Sequence, residues 1–188
     1  MRHPDIVALD IATRPDCVGD EVIGLLSGLN KIKPVWIELG LQSIHPATAD
    51  YIRRGYPLEV FDDAMRRLKA AGIYTVVHMI LGLPGETPEM MRETARYIGK
   101  SGADGIKLQL LHVLENTDLA RDYREGKFKT LEFDEYIEIL RSCIAELPPD
   151  ITVHRLTGDG AKRDLIAPLW SADKKRVINE IAKVLKPV

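Results

Sequence analysis

Cysteine is scarce in this chain, and Cys17 and Cys143 are its only two. Two thiols so far apart give neither a disulfide framework nor the close ligand spacing of a metal site. The expectation is a cytoplasmic protein with reduced thiols. Long apolar runs are also lacking. No stretch approaches the roughly 18 consecutive apolar residues of a membrane helix, so no membrane partner is expected. No apolar segment of a secretory signal follows Met1-Arg2-His3-Pro4-Asp5. An excess of one charge is missing too: 26 Lys and Arg against 28 Asp and Glu leave a net charge of −2, which carries no polyanion footprint. Local basic groups at Arg53–Arg54, Arg66–Arg67 and Lys174–Lys175–Arg176 fall in helical patterns and read as solvated helix faces. The sequence contains no HExxH, Walker loop, GxGxxG or GxSxG, so hydrolase, kinase and dinucleotide readings have no motif to stand on.

What is present is a 45% hydrophobic chain of 188 residues, enough for one domain or a large part of one. Short apolar runs alternate with amphipathic segments. The runs are 6–9, 35–39, 74–81, 106–111 and 151–154, rich in β-branched residues and with little alternation. That pattern suits strands of a parallel sheet buried on both faces. Between them, Val22, Leu25, Leu26 and Leu29 form one helical stripe, and Phe61, Ala64, Leu68 and Ala71 another, closed by Gly72. Thr87-Pro88 is a cap and first-turn pair for a helix whose inner face is Met91, Thr94, Ala95 and Ile98. Phe133, Tyr136, Ile137, Leu140 and Ile144 make the strongest stripe, stopped by Pro148-Pro149. A last helix over 172–185 turns Val177, Ile181 and Val184 inward.

Such alternation predicts right-handed βαβ units on a parallel sheet. Five strands do not close a barrel, which needs about 250 residues in its full form. The fold class is therefore α/β, a partial (β/α) barrel of the TIM type. Residues 1–188 make one incomplete barrel domain, within which 156–188 form a closing segment and C-terminal helix.

In parallel α/β folds ligands gather at the carboxyl ends of the strands. Those ends carry Arg14 and Asp16; Gly40-Leu41-Gln42-Ser43; Gly82-Leu83-Pro84-Gly85-Glu86; His112; and His154-Arg155 with Thr157-Gly158-Asp159-Gly160. The Gly82–Gly85 segment is either a plain strand-to-helix turn or a place where backbone approaches a ligand. Gln42 is either an N-cap, a residue that orders its loop, or an amide suited to a hydroxyl or amino-acid group. Arg14 and Asp16 are either an ion pair or a clamp. His78, inside an apolar strand, reads as a satisfied core histidine, and Trp36 and Trp170 read as core aromatics.

Three segments together resemble the radical S-adenosylmethionine (SAM) superfamily, in its bacterial branch related to the Elongator catalytic subunit. They are 11–17 (IATRPDC), 37–43 (IELGLQS) and 78–86 (HMILGLPGE), and 111–113 and 154–159 extend the likeness over nearly the whole chain. The resemblance implies a partial (β/α)6 barrel in which a [4Fe–4S] cluster reductively cleaves SAM to a 5′-deoxyadenosyl radical that acts on a substrate. It places Gln42 and Arg54 against the ribose or carboxylate of SAM, Glu38 on the ribose-binding strand, Ile80 against adenine and His112 near it. At His78 a related branch carries an acidic residue. The resemblance also implies that the chain starts at the family's third strand, without the Cys-x3-Cys-x2-Cys loop that binds the cluster. The chain alone is then expected to bind no cluster and to be inactive. Either the gene or chain is truncated, or a partner supplies the missing half.

Two other readings stay open. One is half of a different barrel lyase or aldolase, for which Lys107 is the lone strand lysine; the other is a non-enzymatic half-barrel that binds a partner. Kinship with the Elongator subunit implies tRNA as one conceivable substrate. An open half-barrel is expected to leave the inward side chains of all its strands uncovered, and hence to form a homo-oligomer.

Overall fold

The computed structural model describes residues 3–158 and 160–185. In chain order its elements are β1 (Leu9–Thr13), α1 (Asp20–Asn30), β2 (Val35–Gln42), α2 (Pro46–Tyr51), α3 (Leu58–Ala70), β3 (Tyr74–Leu81), α4 (Pro88–Lys100), β4 (Gly105–Leu110), β5 (Val113–Leu114), α5 (Asp118–Arg124), α6 (Phe133–Ala145), β6 (Thr152–Arg155), β7 (Leu165–Ala167) and α7 (Lys174–Val184). Five of the strands form one open, all-parallel sheet in the order β1-β2-β3-β4-β6. This is the α/β architecture that the alternation predicts.

The two faces of the sheet differ. Val35, Ile37, Leu39 and Leu41 of β2, Val77, Met79 and Leu81 of β3, and Ile106, Leu108 and Leu110 of β4 share one core with buried residues of α3, α4 and α6. The intervening positions of the same strands carry Glu38, His78, Lys107 and Gln109, which bond to one another on the other face. With a side-chain period of two, one strand serves an apolar core and a polar site at once.

α4 forms where Thr87-Pro88 places it. The Thr87 hydroxyl accepts the Met90 amide at 3.3 Å, and Met91, Thr94, Ala95 and Ile98 are buried. α3 buries Phe61, Ala64 and Leu68 as its stripe requires, and Gly72 follows its end at φ 66°. Other expectations need correction. The first strand forms at Leu9–Thr13, not at 6–9, because its register runs from Leu9 opposite Val35 to Thr13 opposite Leu39. Ile6 and Val7 stay exposed. α1 turns Leu26 inward while Val22 and Leu25 face solvent, since its apolar residues cover two sides of the helix. α6 buries Ile139 and Cys143 beside Tyr136 and Leu140, and α7 leaves Val184 exposed.

Arg53–Arg54 is no solvated helix face. It lies beyond α2, with Arg53 in a left-handed conformation and Arg54 buried. The two tryptophans join aromatic clusters. Trp170 packs against Phe133 and Tyr136 and donates its Nε1 to Leu131 O at 3.0 Å, fastening the closing segment to α6. Trp36 packs against Tyr74 and His154 near the amino ends of the strands. β5 and β7 make a separate antiparallel pair, and with the short α2 and α5 they show no periodicity in the sequence.

Candidate functional site

The site rises in layers along the polar face of the sheet. Its base is the cluster of Trp36, Tyr74 and His154, whose ring centroids are 5.0–6.0 Å apart. Above it lies a band of Glu38, His78, Lys107 and Gln109 from β2 to β4, with Asp10 of β1, which is opposite Trp36 in register, at its lower edge. A cavity of about 400 Å³ opens at the carboxyl ends, where Glu38, Gly40, Gln42, Arg54, His78 and Ile80 are among the lining residues.

Glu38 is the centre of the band, and it is 6% exposed. Its carboxylate accepts Lys107 Nζ on one oxygen and His78 Nε2, at 2.6 Å, on the other. The Gln109 amide donates to His78 Nδ1 at 2.9 Å. An amide donor on Nδ1 and a carboxylate on Nε2 select the neutral imidazole with its proton on Nε2. Burial lowers the His78 pKa and outweighs the pull of Glu38, so the neutral form is the stable one. Burial alone would raise the Glu38 carboxyl, but the bonds from Lys107 and His78 together prevail and hold it at about 2. Asp10 is shifted upward, first by burial and then by the Glu38 carboxylate beside it. His78 is thus satisfied, as the sequence suggests, yet it faces the cavity and not the apolar core.

Gln42 ends β2 in a left-handed conformation, φ 68°. The cap position of α2 belongs to His45, so Gln42 is not a helix cap. Its amide folds back over Gly40, where an added Cβ would stand 2.9 Å from Gln42 Nε2. Gln42 Oε1 is buried and has no hydrogen-bond partner. Arg54 supports the same turn: it donates Nη1 to Ser43 O at 2.6 Å and Nε to Tyr56 O at 3.1 Å, and its guanidinium lies 4.8 Å over the Tyr56 ring. Tyr56 in turn donates its hydroxyl to Gly40 O. Ile80 and Ile52 separate the cavity from a second one of about 270 Å³, whose apolar lining includes Leu83 and Leu111.

Four of the five residues singled out from the sequence, Glu38, Gln42, Arg54 and Ile80, therefore meet at one cavity. His112 lines neither cavity. It packs against Gly158 and Gly160, and its Nδ1 accepts the Gly160 amide at 3.1 Å. Asp159 lies outside the described residues. Arg14 and Asp16 form an ion pair, 2.6 Å at its shortest. Sequence reasoning passed over Lys107 and Gln109 as partners of Glu38 and His78. The available signal was a polar residue at every second position of otherwise apolar strands.

The two thiols do not fit an iron–sulfur cluster. Cys17 is exposed on the turn after β1, whereas Cys143 is buried in α6, where burial pushes its thiol up to about 12. Among the described residues no three His, Cys, Asp or Glu are arranged to hold a metal ion. No helix of the described residues is long and apolar enough to cross a membrane.

An open parallel sheet with its cavity at the strand ends is common to many α/β families, and comparison with known proteins says which one this is. Residues 4–98 match the family model of the Radical SAM superfamily, and residues 103–187 match the Radical_SAM C-terminal domain. The chain belongs to this superfamily. It is 39% identical to the uncharacterised protein YtqA of Bacillus subtilis, over 97% of this chain and 56% of that protein. It is 29% identical to the tRNA uridine(34) acetyltransferase of Methanocaldococcus jannaschii, over 81% of this chain and 28% of that protein. The solved structure of archaeal Elp3 from Methanocaldococcus infernus superimposes with a TM-score of 0.76 at 26% identity, covering 93% of this chain and 42% of that one. The chain thus spans little more than half the length of YtqA.

Proposed function

We propose that the cavity above the Glu38–His78 band holds the nucleoside part of SAM, and that the chain is the nucleoside-binding portion of a radical SAM enzyme whose cluster ligands come from elsewhere. The observation that carries this is Gln42, which lines the cavity and whose Oε1 is a buried acceptor without a hydrogen-bond partner. A buried acceptor of this kind is stabilised by a ligand donor such as a ribose hydroxyl. In this superfamily SAM is the source of the 5′-deoxyadenosyl radical. Each residue of this chain has its own task in that reading. Gln42 orients the ribose. Arg54 brings positive charge to the rim while bracing the turn. Ile80, with Leu83 and Leu111 behind it, offers an apolar face to the adenine ring. Glu38, Lys107, His78 and Gln109 saturate one another and form a fixed polar floor.

The test is a titration of the purified chain with SAM, followed by calorimetry and by amide chemical shifts. Without a cluster to engage the methionine group, the expected Kd is about 1 mM, near −4 kcal/mol. Gln42→Asn keeps a residue type that tolerates the left-handed conformation but withdraws the acceptor, so it should weaken binding severalfold. Absence of saturable binding, or binding that Gln42→Asn leaves unchanged, overturns the assignment.

A further inference from the structure

The motifs at two neighbouring strand ends, Gly40-Leu41-Gln42-Ser43 and Gly82-Leu83-Pro84-Gly85-Glu86, are joined through one side chain. Ser43 is fully buried, and its hydroxyl donates to Glu86 Oε1. The same hydroxyl accepts the His45 amide at 3.1 Å. The Ser43 amide closes back on Leu41 O at 2.9 Å, and its carbonyl takes Arg54 Nη1. Every polar group of Ser43 is therefore in use, and the residue before it is the left-handed Gln42. A residue with a Cβ keeps that conformation only where its surroundings fix it.

We infer that Glu86 is a positioning residue for this site: through Ser43 it holds the left-handed turn that turns the Gln42 amide into the cavity. Glu86 lines neither the 400 Å³ nor the 270 Å³ cavity, so it acts at one remove. It is itself well anchored. Gly85 at φ 84° sets the turn before it, and the capped first turn of α4 begins at Pro88. Burial shifts its carboxyl upward against the opposing bonds from Ser43 and, more weakly, Thr48. A neutral side chain of the same shape should therefore serve equally well. The effect on ligand affinity rests on the reading of the cavity given above, whereas the effect on Gln42 does not.

The experiment measures Gln42 first in the free protein. The one-bond Cα–Hα coupling of Gln42 separates positive from negative φ in wild type, Glu86→Gln, Glu86→Ala and Ser43→Ala. Ile98→Val, a small cavity in α4 away from the site, serves as a variant that loses stability alone. Glu86→Gln should keep the positive-φ coupling and the wild-type affinity for S-adenosylhomocysteine. Glu86→Ala and Ser43→Ala should lose that coupling and raise the Kd about tenfold, while Ile98→Val alters neither. Should Glu86→Ala fail to fold, Ser43→Ala removes the same bond from the other side. A positive-φ coupling retained in both Glu86→Ala and Ser43→Ala overturns the inference. A coupling that changes as expected, in a protein that binds no ligand in any form, upholds the positioning role and overturns the cavity reading instead.

Discussion

His78 and Lys107 share one carboxylate: Glu38 receives the imidazole Nε2 at 2.6 Å on one oxygen and the ammonium on the other. Glu38 and Lys107 are 7% and 15% exposed at their side chains, so neither charge is well screened by water. Removing one partner strands the other in a poorly solvated place. Lys107→Met should therefore destabilise the fold by about 3 kcal/mol. The double variant Glu38→Gln/Lys107→Met removes both charges while leaving an acceptor for His78 Nε2, and should recover most of that loss. Urea midpoints of the three proteins decide it. A double variant no more stable than Lys107→Met would mean that the band is held by something other than this pair.

The same band sets a pH dependence whose sign follows from linkage. The folded pKa of Glu38, about 2, lies below the 4.5 of a free glutamate. Its contribution is complete above pH 4.5 and is lost as the pH falls toward 2. The folded pKa of His78 lies below 6.5, so its contribution is complete above pH 6.5 and declines as the unfolded chain takes up that proton first. Asp10 and Glu86 are shifted upward and have the opposite sign: they favour the folded state in acid and lose that effect as the pH rises through their folded values. On acidification the His78 decline comes first. His78→Gln should abolish the loss of stability that starts near pH 6.5 while leaving the one below pH 4.5. Denaturation curves on both sides of pH 6.5 test this.

How far the sequence reveals this molecule depends on how local each signal is. β3, α3 and α4 are legible because a β-branched run, a single apolar stripe and the Thr87-Pro88 cap are all short-range features. β1 is not, because the strand that forms contains Asp10 and Thr13, and only pairing with β2 fixes where it starts. α1 misleads because its apolar residues face two ways. In the site, the strand-end rule points to Gln42, whereas Glu38, Arg54 and Ile80 are legible only through the resemblance to the family. The bond from Lys107 to Glu38 spans β3, and its existence depends on register, with His78 opposite both Gly40 and Lys107. A slip of one residue would send these groups to the apolar face. The Ser43–Glu86 bond is hidden for the same reason, since it joins two loops that only the sheet brings together.

Self-association is the remaining prediction, and the structure changes its grounds. The open face of the sheet is not apolar, because Glu38, His78, Lys107 and Gln109 occupy its middle, with Asp10 at their lower edge. Exposed apolar side chains occur instead in the segments on either side of β1 in the chain: Ile6, Val7, Val22, Leu25 and Ile32 are each 41% exposed or more. Among the described residues β1 pairs only with β2, so its other side presents backbone groups that can template a further strand. Covering the part of these five side chains that is still exposed is worth about 1 kcal/mol each, or about 5 kcal/mol in all. Association itself costs about 4–15 kcal/mol. The gain only just meets the low end of that cost, so the result should be weak, concentration-dependent association and not a tight dimer. Light scattering over a concentration series should show a mass that climbs above 21.1 kDa. Val22→Lys/Leu25→Lys, which puts charge on the solvent side of α1 without touching the core, should return the protein to monomer. A wild-type chain that stays monodisperse at 21.1 kDa throughout would show that the edge is protected within the chain itself.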